Sequence, residues 1–125
     1  MIAEEAIQAY NSRIRATAGD LRGLSPQQAD AVKNQGSKAE ALLKNHDLVQ
    51  FIHQFRFEVC DVIAAMTAHD ADSNARRIAL SNQLSGIDAF VATLQRAVYM
   101  KNRVVSEQEG PVSAPRDATK EIYQP

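Results

Sequence analysis

Two runs of apolar residues share one period, and that period constrains the chain more than any other feature. Leu48, Ile52, Phe55, Val59, Val62 and Met66 are spaced four, three, four, three, four. Leu80, Leu84, Ile87, Val91, Leu94 and Val98 repeat the same steps. Such spacing puts each set on one side of an α-helix, as a heptad-type seam. The stretch between them, Thr67 to Ser73, is polar and carries His69, Asp70 and Asp72. Carboxylates there suit the N-terminus of the second helix, where unpaired N–H groups and the helix dipole favour negative charge. Equal seams joined by a short polar connection predict an antiparallel helical hairpin, coiled-coil-like in its packing. Folding the chain about residue 73 sets Met66 beside Leu80, Val62 beside Leu84 and Val59 beside Ile87. The layers continue with Phe55 and Val91, Ile52 and Leu94, and Leu48 and Val98.

The rest of the chain is helical in pattern too, so the fold class is all-α. No segment shows sustained strand-type alternation, and no repeat of solenoid length appears. A first helix is expected from about Ala3 to Ala18, with Ala3, Ile7, Tyr10, Ile14 and Thr17 along one stripe. Gly19 and Gly23 end it. Ser25-Pro26-Gln27-Gln28 reads as a capping box with proline at the first helical position. The short helix it opens is expected to end near Asn34-Gln35-Gly36. A second capping box, Ser37-Lys38-Ala39-Glu40, then restarts the helix, and Asn45 or Asp47 caps the one that follows. From Ser106 to Pro125 the chain holds Gly110, Pro111, Pro115 and Pro125 among mixed charges, which predicts an extended tail. The expected organisation is N-terminal helices over 1–36, a hairpin core over 37–105 and a tail over 106–125.

Composition narrows the function classes. Fourteen Lys and Arg against fifteen Asp and Glu give a formal net charge of −1, which excludes a polycationic tail-type protein. One cysteine excludes an intramolecular disulfide framework and a Cys-based zinc cluster. No apolar run approaches the ~20 residues that span a bilayer, and no membrane partner is expected. The acidic start Met1-Ile2-Ala3-Glu4-Glu5 is unlike a signal peptide, so the expected location is cytoplasmic.

The residues that carry chemistry elsewhere do not assemble into a reactive pattern here. His46 and His53 are seven apart and His69 sits in the connection, without the i,i+4 pairing and converging carboxylates of a helical metal site. Asp70-Ala71-Asp72-Ser73-Asn74 begins like a calcium loop. Ala75 then stands where the turn glycine belongs, and Ser81 where the bidentate glutamate belongs. Cys60 has Asp61 beside it, the wrong sign to activate a thiol. With no phosphate-binding, nucleophile-elbow or metalloprotease motif, neither a catalytic residue nor a cofactor is expected.

Association is the better expectation. A two-helix hairpin buries one seam and leaves flanks wet. The N-terminal helices are expected to cover Phe51, Ile63 and Phe90 on one side, whereas Phe57 lies about opposite the seam. Phe57 and Phe90 are therefore the candidate self-association residues. Positive charge collects weakly at Arg13, Arg15 and Arg22 and again at Arg96, Lys101 and Arg103. One copy of either set holds phosphates poorly, but repetition around an oligomer multiplies the field. The N-terminal segment has only the outline of a helix-turn-helix, with Lys33 as its single base-reading candidate.

From Lys38 to about Gln108 the chain resembles short helical proteins of tailed-bacteriophage gene clusters. The residues that carry the resemblance are Ala41-Leu42-Leu43-Lys44-Asn45, the helix through Phe51, Phe55 and Phe57, and Asp72 followed by Arg76 or Arg77. Ile87-Asp88-Ala89-Phe90 and Lys101-Asn102-Arg103-Val104 complete it. The resemblance implies virion assembly or DNA packaging, with small terminase subunits as one candidate. Those are non-catalytic rings of helical hairpins that hold double-stranded DNA and recruit a packaging motor. It would make the hairpin the homo-oligomer core and set the N-terminal helices toward DNA. The tail, through Ile122 and Tyr123, would face the motor or another virion protein. A head–tail structural role, or an adaptor or inhibitor without DNA affinity, fits the same pattern.

Overall fold

The computed structural model describes residues 2–14, 21 and 23–113, the last five as backbone. Four α-helices follow one another among them, without a strand: α1 (Ile2–Ser12), α2 (Pro26–Leu43), α3 (His46–Ala65) and α4 (Ala71–Ser113). The all-α expectation holds. The chain divides into two compact units, Met1–Gly36 with Tyr99–Pro125, and Ser37–Val98. Both α2 and α4 contribute to each unit.

In the Ser37–Val98 unit, α3 and α4 form the antiparallel hairpin. Asn45 starts α3 from an extended backbone, its side chain accepting a hydrogen bond from the Leu48 N–H at 2.8 Å. Ile52, Val59, Leu80 and Leu94 are buried along the seam, and Leu48, Met66, Leu84, Ile87, Val91 and Val98 are half-buried. Arg56 on α3 pairs with Asp88 on α4 at 2.7 Å. That pair lies between the Phe55–Val91 and Val59–Ile87 layers, the register the spacing predicts. Phe55 and Val62 depart from the expectation, because each stays exposed beside the seam.

A single side chain ties the connection. Arg77 donates to Asn74 Oδ1 at 2.6 Å, to the Met66 carbonyl at 3.3 Å and to the Ala68 carbonyl. Asp70 caps α4 by accepting from the Ser73 N–H at 2.7 Å. Hydrogen bonding by the Ser73 side chain, and next by its N–H, favours the charged form and holds the Asp70 carboxyl below its ordinary value of 3.8, and Arg77 adds a weaker pull in the same direction.

The other unit packs the first half of α2 against the last part of α4. Leu21, Ala29, Val32, Met100 and Val104 form its core, flanked by Ile14 and Leu24. The Ser25 capping box is present in both directions. Gln28 N–H donates to Ser25 Oγ at 3.2 Å, and Ser25 N–H donates to Gln28 Oε1 at 2.9 Å. By contrast, α1 buries none of its residues. It stops at Ser12, whose hydroxyl bonds back to the Gln8 carbonyl at 2.7 Å. The helix expected to Ala18 ends earlier, since Arg13 and Ile14 are not helical, and residues 15–18 lie outside the described residues.

Two boundaries differ from expectation. The break at Gly36 does not occur, because α2 runs through it. Gly36 is buried within the helix and has no left-handed φ, and Ala39 beyond it is also buried. The second capping box is therefore unused. Second, α4 continues past Val105 to Ser113. Burial of Met100 and Val104 holds the helix there, assisted by Lys33 donating to Gln108 at 3.0 Å and an Arg103–Glu107 pair at 3.6 Å. The expected tail beyond residue 113, with Ile122 and Tyr123, lies outside the described residues.

Candidate self-association surface

Around each hairpin helix, residues about 60–100° to one side of the seam share a flank, and those about as far to the other side share the opposite flank. Arg56 and Asp88 mark one flank with their ion pair. The other carries Phe51 on α3 and Phe90 on α4, with Phe55 and Val62 turned toward it from the seam edge. Their exposures are 68% for Phe51, 37% for Phe55, 39% for Val62 and 43% for Phe90. The sequence predicts helices over this flank. Phe51 and Phe90 remain open to solvent, and half-buried Ile63, expected with them, lies instead on the Arg56 side of α3.

The two aromatics singled out for self-association do not share a face. Phe90 belongs to the apolar flank, whereas Phe57 points away from the seam at 66% exposure. Phe57 stacks on His53, with ring centroids 6.5 Å apart and an interplanar angle of 27°. The spacing from 53 to 57 is one helical turn, which accounts for the contact. Cys60 is exposed on the same helix. Sequence reasoning missed the joint exposure of Phe51 and Phe55, although their positions beside the seam carried the signal.

The basic candidates scatter. Arg13 lies over the Tyr10 ring at 4.1 Å, a cation–π contact that occupies its guanidinium face. Arg15 and Arg22 fall outside the described residues. Arg96 is exposed, Lys101 is half-buried, and Arg103 is drawn to Glu107. Among the described residues no group of three His, Cys, Asp or Glu side chains converges as a metal site. No described helix is long and apolar enough to cross a membrane. A shallow groove in the Met1–Gly36/Tyr99–Pro125 unit is lined by Leu21, Leu24, Ala29, Val104, Glu107 and Gln108, without a convergent set of titratable groups.

Comparison with known proteins finds no match to a family model, to a curated protein or to a solved structure. Burying exposed aromatic surface is the chemistry that the apolar flank can perform.

Proposed function

We propose that this chain is a non-enzymatic, self-associating helical subunit that works by assembly. The setting is the one its resemblance implies: a phage virion-assembly or DNA-packaging factor, small-terminase-like, acting in the host cytoplasm or the virion. One observation carries the reading. Among the described residues eleven large hydrophobics are exposed against ten buried hydrophobics, and not one large side chain is fully enclosed. A monomer so thinly cored gains stability by covering that surface, and association with a copy of itself supplies the cover. The test is solution mass by light scattering over a concentration series at two salt concentrations. A stable oligomer supports the reading, and a monomer near 13.7 kDa throughout refutes it.

Double-stranded DNA enters through Arg96 and Arg103, seven residues apart on α4. Replacing Arg96 and Arg103 by Ala should lower the salt slope of DNA binding by about 2, one unit for each phosphate no longer neutralised. An unchanged slope removes these residues from that role. Exposure of Phe57 on the face of α3 away from the seam favours a second reading, an adaptor or inhibitor that keeps a separate face for a different protein. Phe57→Ser would then abolish capture of that protein while leaving the oligomer intact.

A further inference from the structure

We infer that the flank of the hairpin bearing Phe51, Phe55 and Phe90 is covered by the same flank of a second copy, making a two-fold four-helix arrangement. The inference rests on the self-association proposed above and names its surface, its occupant and a residue that tunes it.

Three features favour a second copy. The first is shape. In the hairpin register Phe55 and Phe90 sit at nearly the same level, and Phe51 and Ala97, like Ala65 and Ala79, are within ~3 Å of one level. A two-fold axis along the hairpin lays α3 of one copy on α4 of the other. It preserves level, so Phe55 meets the partner's Phe90 and the bulky Phe51 meets the partner's small Ala97. Every adjacent helix pair is then antiparallel, which suits both side-chain packing and helix dipoles.

The second feature is extent. The twenty residues of α3 make a face ~30 Å long, and two helices side by side are ~20 Å wide. That gives a footprint of roughly 600 Å² per copy, or about 1,200 Å² for both, the lower edge of stable interfaces. The exposed parts of the three phenylalanines supply roughly 300 Å² of each footprint.

The third is charge. Asp47 stands at the end of this flank, and between Phe51 and Ala65 on α3 and between Ala79 and Ala97 on α4 Glu58 is the one charged residue among its described positions. A partner selected by charge would face a denser pattern. Glu58 instead lies near the middle of the face, where the partner's α4 covers it and desolvates its carboxylate. The interface is therefore self-limiting, held together by the phenylalanines and weakened by one carboxylate per copy.

The experiment is sedimentation equilibrium of the full chain, with far-UV circular dichroism on every variant. Phe51→Ser with Phe90→Ser should weaken association at least ~10-fold at unchanged helicity, since both side chains are exposed and support no core. Glu58→Gln should tighten it by about fivefold. If the double variant loses helix, Glu58→Gln decides alone, because it removes no apolar contact: tightening supports the inference, and an unchanged constant overturns it. If the folded double variant associates as tightly as the parent, this flank is not the interface, while the broader assembly reading survives. A parent chain that stays monomeric at every concentration overturns both. If ending the chain at residue 113 creates association that the full chain lacks, the chain's own tail is the occupant and the second copy is overturned.

Discussion

Arg77 offers a sharp test of how the hairpin is closed. The connection after Ala65 leaves α3's last carbonyls and those of the turn without helical partners. Arg77 reaches back to two of them, at Met66 and Ala68, and also engages Asn74 on its own helix. Replacing it with Ala removes three hydrogen bonds from a charged donor. Buried, each would be worth ~1.5–3 kcal/mol, but only the Met66 bond is part-buried, so solvent screening reduces the set to about 2 kcal/mol. For a chain of 125 residues that corresponds to a fall in Tm of ~8 °C. Arg77→Lys should recover less than half, because an ammonium cannot span carbonyls that the planar guanidinium bridges. The assay is thermal melting by circular dichroism at one fixed protein concentration, since association shifts Tm by mass action. A loss below about 0.5 kcal/mol for Arg77→Ala would refute the closure argument, and equal behaviour of Lys and Arg would refute its geometric part.

Two further outcomes follow from local geometry. Because the folded pKa of Asp70 lies below its ordinary 3.8, its capping contribution is fully present above that value and is lost as pH falls through the folded pKa. Asp70→Asn keeps a capping oxygen but removes the titration, so the acid side of its stability curve should be shallower than the parent's between about pH 5 and pH 2. A parallel curve would show that another carboxylate dominates. Gly86 sits inside α4 with nothing within 4 Å of where a Cβ would stand. Gly86→Ala should therefore stabilise the helix by ~0.5–1 kcal/mol, read as a Tm rise of about 2–4 °C; a fall would mean the site is filled in solution.

Features that depend on residues within a turn or two of one another were legible in the chain itself. The seam positions follow from the helical period. The caps at Ser25 and Asn45 follow from side chains that reach N–H groups only three residues ahead. The hairpin register followed as well, because two seams of equal spacing around a short connection leave one antiparallel alignment in which every apolar layer matches. Tertiary structure decided the rest. Local rules place a break at Gly36 and a helix end near Val105, yet α2 runs on through buried Gly36 and Ala39, and α4 runs on past the core that Met100 and Val104 make with Ala29 and Val32. Those contacts join residues some seventy positions apart, at a distance where period and propensity carry no information. Arg77 reads as a surface charge in sequence, and its role depends on the path of a turn that only the folded chain defines. The apolar flank is the same kind of case. Sequence put aromatics beside the seam, but only the folded chain decides whether anything covers them, and Phe51 and Phe90 are left open.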